Sequence, residues 1–530
     1  MNKIIKNSIK TLSMCLLAAT AFIGTACSDD DDLTTDYSWN IEGNTTVSIK
    51  PERYKLLRNP MSGWVIYAGI GSGMMMNFWD LYDNFESSEG TVKVSNYGNT
   101  LYIRGLWSHF NPERGKYVWD ETLQTEPAER FRMLVEGAKE RNLKLAFTFV
   151  CDSRDKHENA CPEYVREAGA EGFTTTTGSV DVWTPYPDDP IFQKEYEAFL
   201  TAFAAKYNDP DVTQFVSGFG LGKWGETHTL KYSTGDESPR QAVFEWITDV
   251  YTKAFKRVPL VINYHRLVGD TISWAKPHPD SKRLLERAIA KGYIIRHDAF
   301  GMTGYYEQWE KDFARAYRYR LPIIMEGGWI TGAHHRYWID PSGKYREGHS
   351  EDVRLGEYEE SRNAHVNMMD LRTGDEVASW FNTSFDLVNR FVREGGYRLY
   401  PTKVSFVNKA RQGELVSMQH NWRNLGWGYC PTNIPQWKGK YKVCIALMDT
   451  GHSIVKKQIA EEADLSAWVQ GCDGHYTTNI SLEGLQKGSY TWLIGLVDTT
   501  KAYQPGLKMA VDKNLLFDGW CKVGTLEIGK

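Results

Sequence analysis

The chain has 530 residues, more than one hydrophobic core usually organises, so two domains are expected. Apolar residues make up 42% and charged residues 24%, the balance of a water-soluble globular protein. A net charge of −5 is spread over 62 basic and 67 acidic residues with no basic block, which excludes nucleic acid as the main partner.

The first residues read as a targeting segment. Lys3, Lys6 and Lys10 give a positive start, and Met14 to Ile23 is apolar but too short to span a bilayer. Gly24-Thr25-Ala26-Cys27 follows and resembles the lipobox of bacterial lipoproteins, with Gly24 where Leu is usual. That resemblance implies cleavage before Cys27 and its lipidation, hence a signal over 1–27 and membrane attachment by lipid alone. An uncleaved signal or an ordinary secretory cut stays open. Residues 28–50 open with Ser28-Asp29-Asp30-Asp31-Asp32 and read as an acidic solvated tether. The acidic run also resembles the export signal of lipoproteins on the outer face of the outer membrane, the location expected here.

Eight apolar runs then alternate with helical patterns. The runs are Met61 to Tyr67, Leu101 to Leu106, Lys144 to Val150, Gln214 to Leu221, Pro259 to Tyr264, Gly292 to Arg296, Leu321 to Met325 and His365 to Leu371. Helices are expected over Pro127 to Arg141, Pro190 to Tyr207, Gln241 to Phe255, Ser281 to Lys291, Gln308 to Tyr319, Glu351 to Ala364 and Asp375 to Arg393. This order predicts an α/β fold, a (β/α)8 TIM barrel over residues 51–396. A doubly wound sheet is the alternative, but no G-x-G-x-x-G follows the first run, and Gly218, Gly220 and Gly222 have the wrong spacing for a phosphate cradle. After Gly395-Gly396 come short alternating stretches: Lys403 to Val407, Glu414 to Asn421, Lys440 to Asp449, Tyr476 to Leu482, Ser489 to Val497 and Cys521 to Ile528. They predict a β-sandwich over 397–530.

Active sites of such barrels lie at the C-terminal ends of the strands. Arg104, Asp152, Glu226, His265, His297, Asp298 and Glu326 all fall at or just past strand ends. Glu226 and Glu326 follow the fourth and seventh strands, which stand roughly across the ring. Glycosidic cleavage needs a proton for the leaving oxygen and negative charge at the anomeric carbon, and paired carboxylates supply both. Glu226 is expected to be the acid/base, its carboxyl raised by a wall such as Trp224, and Glu326 the nucleophile. Asp152 and Asp298 compete as the second carboxylate of an inverting enzyme.

A Glu after strand four and a Glu after strand seven resemble the large clan of retaining β-glycosidases on this barrel (clan A). The stretch Arg104 to Trp119, with Arg104, Trp107, Pro112, Gly115, Tyr117 and Trp119, resembles the R…W…P-x-x-G-x-Y-x-W stretch of barrel β-galactosidases. The whole chain resembles lipoproteins that join a β-galactosidase-like barrel to a C-terminal sandwich. The resemblance implies that Arg104 supports the nucleophile. The clan carries Asn before its acid/base, contacting the sugar 2-hydroxyl; Gly225 stands there instead. Arg104, Trp224, His265, His297, Asp298 and Trp329 are the expected substrate-binding residues.

The function expected is hydrolysis of β-linked sugars outside the cell, galactosides among them, with carbohydrate as partner and no cofactor. A surface glycan-binding lipoprotein is the alternative and a cell-surface scaffold or adhesin the third reading. Scattered His265, His297, His334 and His335 read as hydrogen-bonding residues rather than a metal site. Trp183, Tyr186, Trp224, Trp329 and Trp338 are stacking candidates, each with loop packing as the alternative. Core packing is the expectation for Trp422, Trp427 and Trp437. Cys151 and Cys161 are read equally as a disulfide or as two thiols. No G-x-S-x-G elbow or zinc spacing is present.

Overall fold

The computed structural model describes residues 44–71, 73–152, 154–155, 157–272, 276–330 and 343–529. Cys27, His334, His335 and Trp338 lie outside them. Eight parallel strands close into a barrel: Gly63–Gly69, Gly98–Leu106, Lys144–Val150, Thr213–Ser217, Leu260–Asn263, Tyr293–His297, Ile323–Met325 and Met368–Asp370. The ring closes where Met368 pairs with Gly63 and Asp370 with Val65. Helices follow the strands, as the (β/α)8 plan requires.

Local chemistry sets the helix starts. Thr125 Oγ1 accepts from Ala128 N at 3.3 Å ahead of helix Glu126–Glu140. Asp189 Oδ1 accepts from Ile191 N and Phe192 N at 2.9 and 2.8 Å ahead of helix Pro190–Tyr207, with proline in its first turn. The helix expected over Asp375 to Arg393 is instead two, Asp375–Thr383 and Phe385–Glu394. Ser384 between them leaves helical geometry at φ −144°, and Phe385 turns into the core.

Inside the barrel the strand period of two sorts side chains into layers. The lower inward residues are Val65, Tyr102, Ala146, Phe215, Val261, Ile294, Ile324 and Met368, one apolar cluster continuous with the sandwich. Two residues on, the inward positions become Tyr67, Arg104, Thr148, Ser217, Asn263, Arg296, Glu326 and Asp370. A barrel interior is usually filled by branched apolar residues, so this polar upper layer marks the functional end.

Residues beyond 397 form two facing sheets. One joins Asn44–Ser48, Leu399–Val407, Leu415–Asn424 and Gly474–Ser481. The other is built on Tyr441–Met448, Gly488–Asp498 and Trp520–Gly529 and is widened by shorter strands, among them Ile454–Ile459. The tether expected through residue 50 therefore ends sooner. Asn44–Ser48 pairs antiparallel with Lys403–Val407, its Val47 packing against the sandwich core.

The sandwich packs on the barrel's floor. Asn367 Nδ2 donates to Met61 O at 2.9 Å and Tyr429 O at 2.8 Å, tying the eighth strand to both parts. Trp422, Trp427 and Trp437 are all buried, in line with core packing, and Trp427 Nε1 donates to Val366 O at 2.8 Å. Cys151 and Cys161 are buried free thiols. Among the described residues no helix is long and apolar enough to cross a membrane.

Candidate active site

The upper polar layer gathers around Arg104. Its Nη2 donates to Glu226 Oε1 at 3.1 Å and its Nη1 lies 3.6 Å from Glu326 Oε1, so one guanidinium reaches both glutamates. It also donates to the carbonyl of Trp224. Glu326 is fully buried and touches two further guanidinium groups, Arg296 and Arg372. Arg296 Nη2 lies 3.8 Å from Asp370 Oδ2, and Arg372 N donates to Asp370 Oδ1 at 2.5 Å. Burial first, then the charge of Glu326, push the Asp370 carboxyl up to about 7.

Glu226 does not sit at a strand end. The fourth strand stops at Ser217, and the chain continues as a tight loop. A Cβ on Gly220 would come 2.5 Å from Phe149 O, and one on Gly222 would come 2.4 Å from His228 O; both residues have positive φ. Trp224, Thr227 and Thr229 share that left-handed geometry at φ 58°, 72° and 60°. For β-branched threonine this costs about 1–3 kcal/mol each, strain of the kind kept where a loop must aim a side chain. Backbone bonds hold the loop: Trp224 N to Asp152 O at 3.0 Å, Lys223 N to His228 O at 2.9 Å and Gly269 N to Thr227 O at 2.7 Å.

The expected rise of the Glu226 carboxyl is not what the structure gives. Burial would raise it, but His228 and Arg104 outweigh burial and bring it down to about 2. His228 Nε2 lies 3.8 Å from Glu226 Oε2. The Trp224 indole is directed elsewhere, donating to Asp155 Oδ1 and Oδ2 at 3.1 and 3.0 Å, with the Lys223 ammonium 4.2 Å from its ring.

Asp298 follows the sixth strand. Tyr305 Oη donates to its Oδ1 and Oδ2 at 3.1 and 3.0 Å. Burial, then the charges of Glu226 and Glu326, push this carboxyl well above the usual range. His265 and His297 are buried beside it, their rings 6.2 Å apart and near-parallel. Burial keeps both neutral, His297 down at about 3. Trp329 is 48% exposed at the rim with the Arg372 guanidinium 4.6 Å from its ring. Of the other stacking candidates, Trp183 is buried and Tyr186 packs on Phe173 at 5.6 Å. Asp152 is held by Arg154.

The fold thus brings Arg104, Glu226, Glu326 and Asp298 to one bowl. Sequence reasoning missed Arg296, Arg372, Asp370, His228 and Tyr305. A charge two residues above an inward apolar position was the legible signal for Arg296 and Asp370. His228, Tyr305 and Arg372 come from loops and carry no such pattern. Away from the bowl, Glu237, Asp270 and His278 also cluster, but Arg240 Nη1 already stands 2.7 Å from His278 Nδ1.

Comparison with known proteins adds little. No protein-family profile matches the chain, and no curated protein does. Among solved structures, an exo-β-1,4-mannosidase from Opitutaceae bacterium strain TAV5 is 13% identical at a TM-score of 0.33, over 66% of this chain and 58% of its own. A hyperthermostable endo-1,4-β-D-mannanase from Thermotoga petrophila is 12% identical at 0.37, over 59% and 88%. A glycoside hydrolase family 30 subfamily 8 xylanase from Clostridium acetobutylicum is 11% identical at 0.36, over 80% and 97%. Likeness this low assigns no activity.

Proposed function

We propose that the chain is a glycoside hydrolase that cleaves β-linked sugars with retention, in the bowl at the C-terminal end of the barrel. The observation that carries this reading is the single Arg104 guanidinium within 3.1 Å of Glu226 and 3.6 Å of Glu326. Two carboxylates on one guanidinium are on the order of 9 Å apart at most. That span admits both the roughly 5–5.5 Å of a retaining pair and the roughly 6.5–9.5 Å of an inverting one, so retention in this reading rests on the resemblance of the two glutamates to the retaining clan. Glu326 is the nucleophile, held as a carboxylate among Arg104, Arg296 and Arg372. Glu226 supplies a second negative charge opposite the cation that develops at the anomeric carbon.

The Arg104-to-Trp119 stretch favours β-galactosides as substrate. In this reading the half-exposed Trp329 indole at the rim packs on a sugar ring, whose C–H groups favour aromatic surfaces. Lipid attachment at Cys27 and exposure on the outer membrane belong to the same proposal and rest on sequence alone.

The full burial of Glu326 favours a second reading, a surface glycan-binding protein without turnover. One experiment separates the two. Purified protein is assayed on a panel of aryl β-glycosides, and the active sugar is then offered as its 2-deoxy-2-fluoro analogue. Turnover with covalent label on Glu326 supports the hydrolase. Glycan affinity with no turnover on any member, or label on another carboxylate, overturns the assignment.

A further inference from the structure

Four carboxyl groups share the bowl and its wall: Glu226, Glu326, Asp370 and Asp298. Among the described residues three guanidinium groups face them. Arg104 serves Glu226 and Glu326, Arg296 serves Glu326 and Asp370, and Arg372 serves Glu326. Among the described residues Asp298 has no arginine or lysine within 4.0 Å of its carboxylate oxygens. Its polar contacts are the Tyr305 hydroxyl at 3.1 and 3.0 Å and the neutral His297 ring, whose Nδ1 is 4.0 Å from Oδ1. The groups that act on it through space are Glu226 and Glu326, both repelling its charge, and Arg296, which is committed to other carboxylates. A part-buried carboxyl with no described arginine or lysine beside it, facing the charges of Glu226 and Glu326, is disfavoured as an anion and holds its proton more tightly than a free one. Its side chain is also the most open of the four, 14% accessible against 9% for Glu226, 1% for Asp370 and none for Glu326.

We infer that Asp298, rather than Glu226, is the general acid that protonates the leaving glycosidic oxygen. The inference rests on the glycosidase reading above. The protonated Asp298 carboxyl gives its proton to the glycosidic oxygen as the bond to the anomeric carbon breaks, and the bond's electron pair stays on that oxygen. A Glu326 carboxylate oxygen forms the new bond to the anomeric carbon. In the second half a water oxygen bonds to that carbon, the water's proton passes to the Asp298 carboxylate, and Glu326 leaves with its electron pair. Asp298 ends protonated and Glu326 ionised, as they began. Glu226 stays a carboxylate throughout, anchored by Arg104.

Leaving-group dependence tests this. Wild type, Asp298→Asn and Glu226→Gln are compared on the 2,4-dinitrophenyl and phenyl β-glycosides of galactose, glucose, mannose and xylose. Dinitrophenolate leaves without protonation, whereas phenolate needs it. Asp298→Asn is expected to lose about 10²–10⁴ on the phenyl glycoside, with less than about tenfold loss of glycosylation rate on the dinitrophenyl one. Azide should restore its turnover. Glu226→Gln should lower both substrates by a similar factor. A split seen with Glu226→Gln and absent with Asp298→Asn overturns the inference while leaving the glycosidase reading intact. Wild-type protein that cleaves no member of the panel removes the reaction itself and this role with it. Infrared spectroscopy adds a readout independent of turnover. At pH 8.5, above the Asp370 range, one protonated-carboxyl stretch should vanish in Asp298→Asn and persist in Asp370→Asn, and its absence from wild type overturns the inference.

Discussion

Replacing Arg104 by methionine perturbs the centre of the bowl most directly. At an effective dielectric of about 20, unit charges at 3.1 and 3.6 Å attract by about 5 kcal/mol each. Desolvation of the guanidinium offsets part of this, and removing one partner of such a buried group typically costs about 3–5 kcal/mol. The Glu226 carboxyl gives a combined figure for His228, the larger lowering cause, and Arg104, so only part of it is lost with Arg104. Its fall from 4.5 to about 2 corresponds to about 3 kcal/mol of folding stability. That contribution is full above pH 4.5 and is lost as pH falls toward 2, because the depressed carboxyl must then take up a proton. Urea unfolding of Arg104→Met at pH 8 should therefore show a loss of about 3–5 kcal/mol. The gap to wild type should narrow as pH falls from 5 to 3. Arg104→Lys should recover only part, since an ammonium lacks the fork that meets two carboxylates. A loss under about 1 kcal/mol at pH 8, or a gap that does not narrow in acid, would refute the reasoning.

Arg354 is fully buried with Glu357 and Glu376, whose carboxylates in turn accept from Gly328 N at 2.8 Å and Ile330 N at 2.9 Å in the loop after Glu326. Arg354→Met is expected to lower stability by about 3–5 kcal/mol in urea unfolding, and a neutral result would show that the network contributes nothing. Asp370, raised from 3.8 to about 7, holds in the folded state a proton that the unfolded chain releases. Stability from this group thus falls as pH rises between those values, by on the order of 4 kcal/mol. Asp370→Asn should gain on wild type by up to that amount between pH 4 and pH 8, and parallel pH profiles would contradict it. Gly137→Ala should destabilise by about 1–3 kcal/mol despite alanine's better helix propensity, because the new Cβ would lie 1.9 Å from Trp79 Nε1. An unchanged melting temperature would mean that the indole moves aside freely.

The barrel was readable because each strand is an apolar run bounded by breakers and each helix carries its own amphipathic period. Lys144–Val150 and Pro190–Tyr207 fall where the pattern places them. Ile454–Ile459 escaped because its IVKKQI lies mostly half-buried, with no strong alternation to mark it. The first sandwich strand escaped because Asn44–Ser48 holds a single aliphatic residue, and its partner lies hundreds of residues downstream. At the site, position along the chain foretold that Glu226 and Glu326 would share a bowl. It could not foretell their ionisation. That depends on Arg296, Arg372 and His228, which meet the glutamates only through the closed ring and its loops. That no described arginine or lysine stands beside the Asp298 carboxylate is likewise a property of the folded chain alone.

Asn44–Ser48 is stitched into the sheet that seals the underside of the ring. The Arg104 bowl opens at the opposite end of the ring. A long polymer lying across the bowl would therefore meet the barrel's loops and leave the sandwich untouched below.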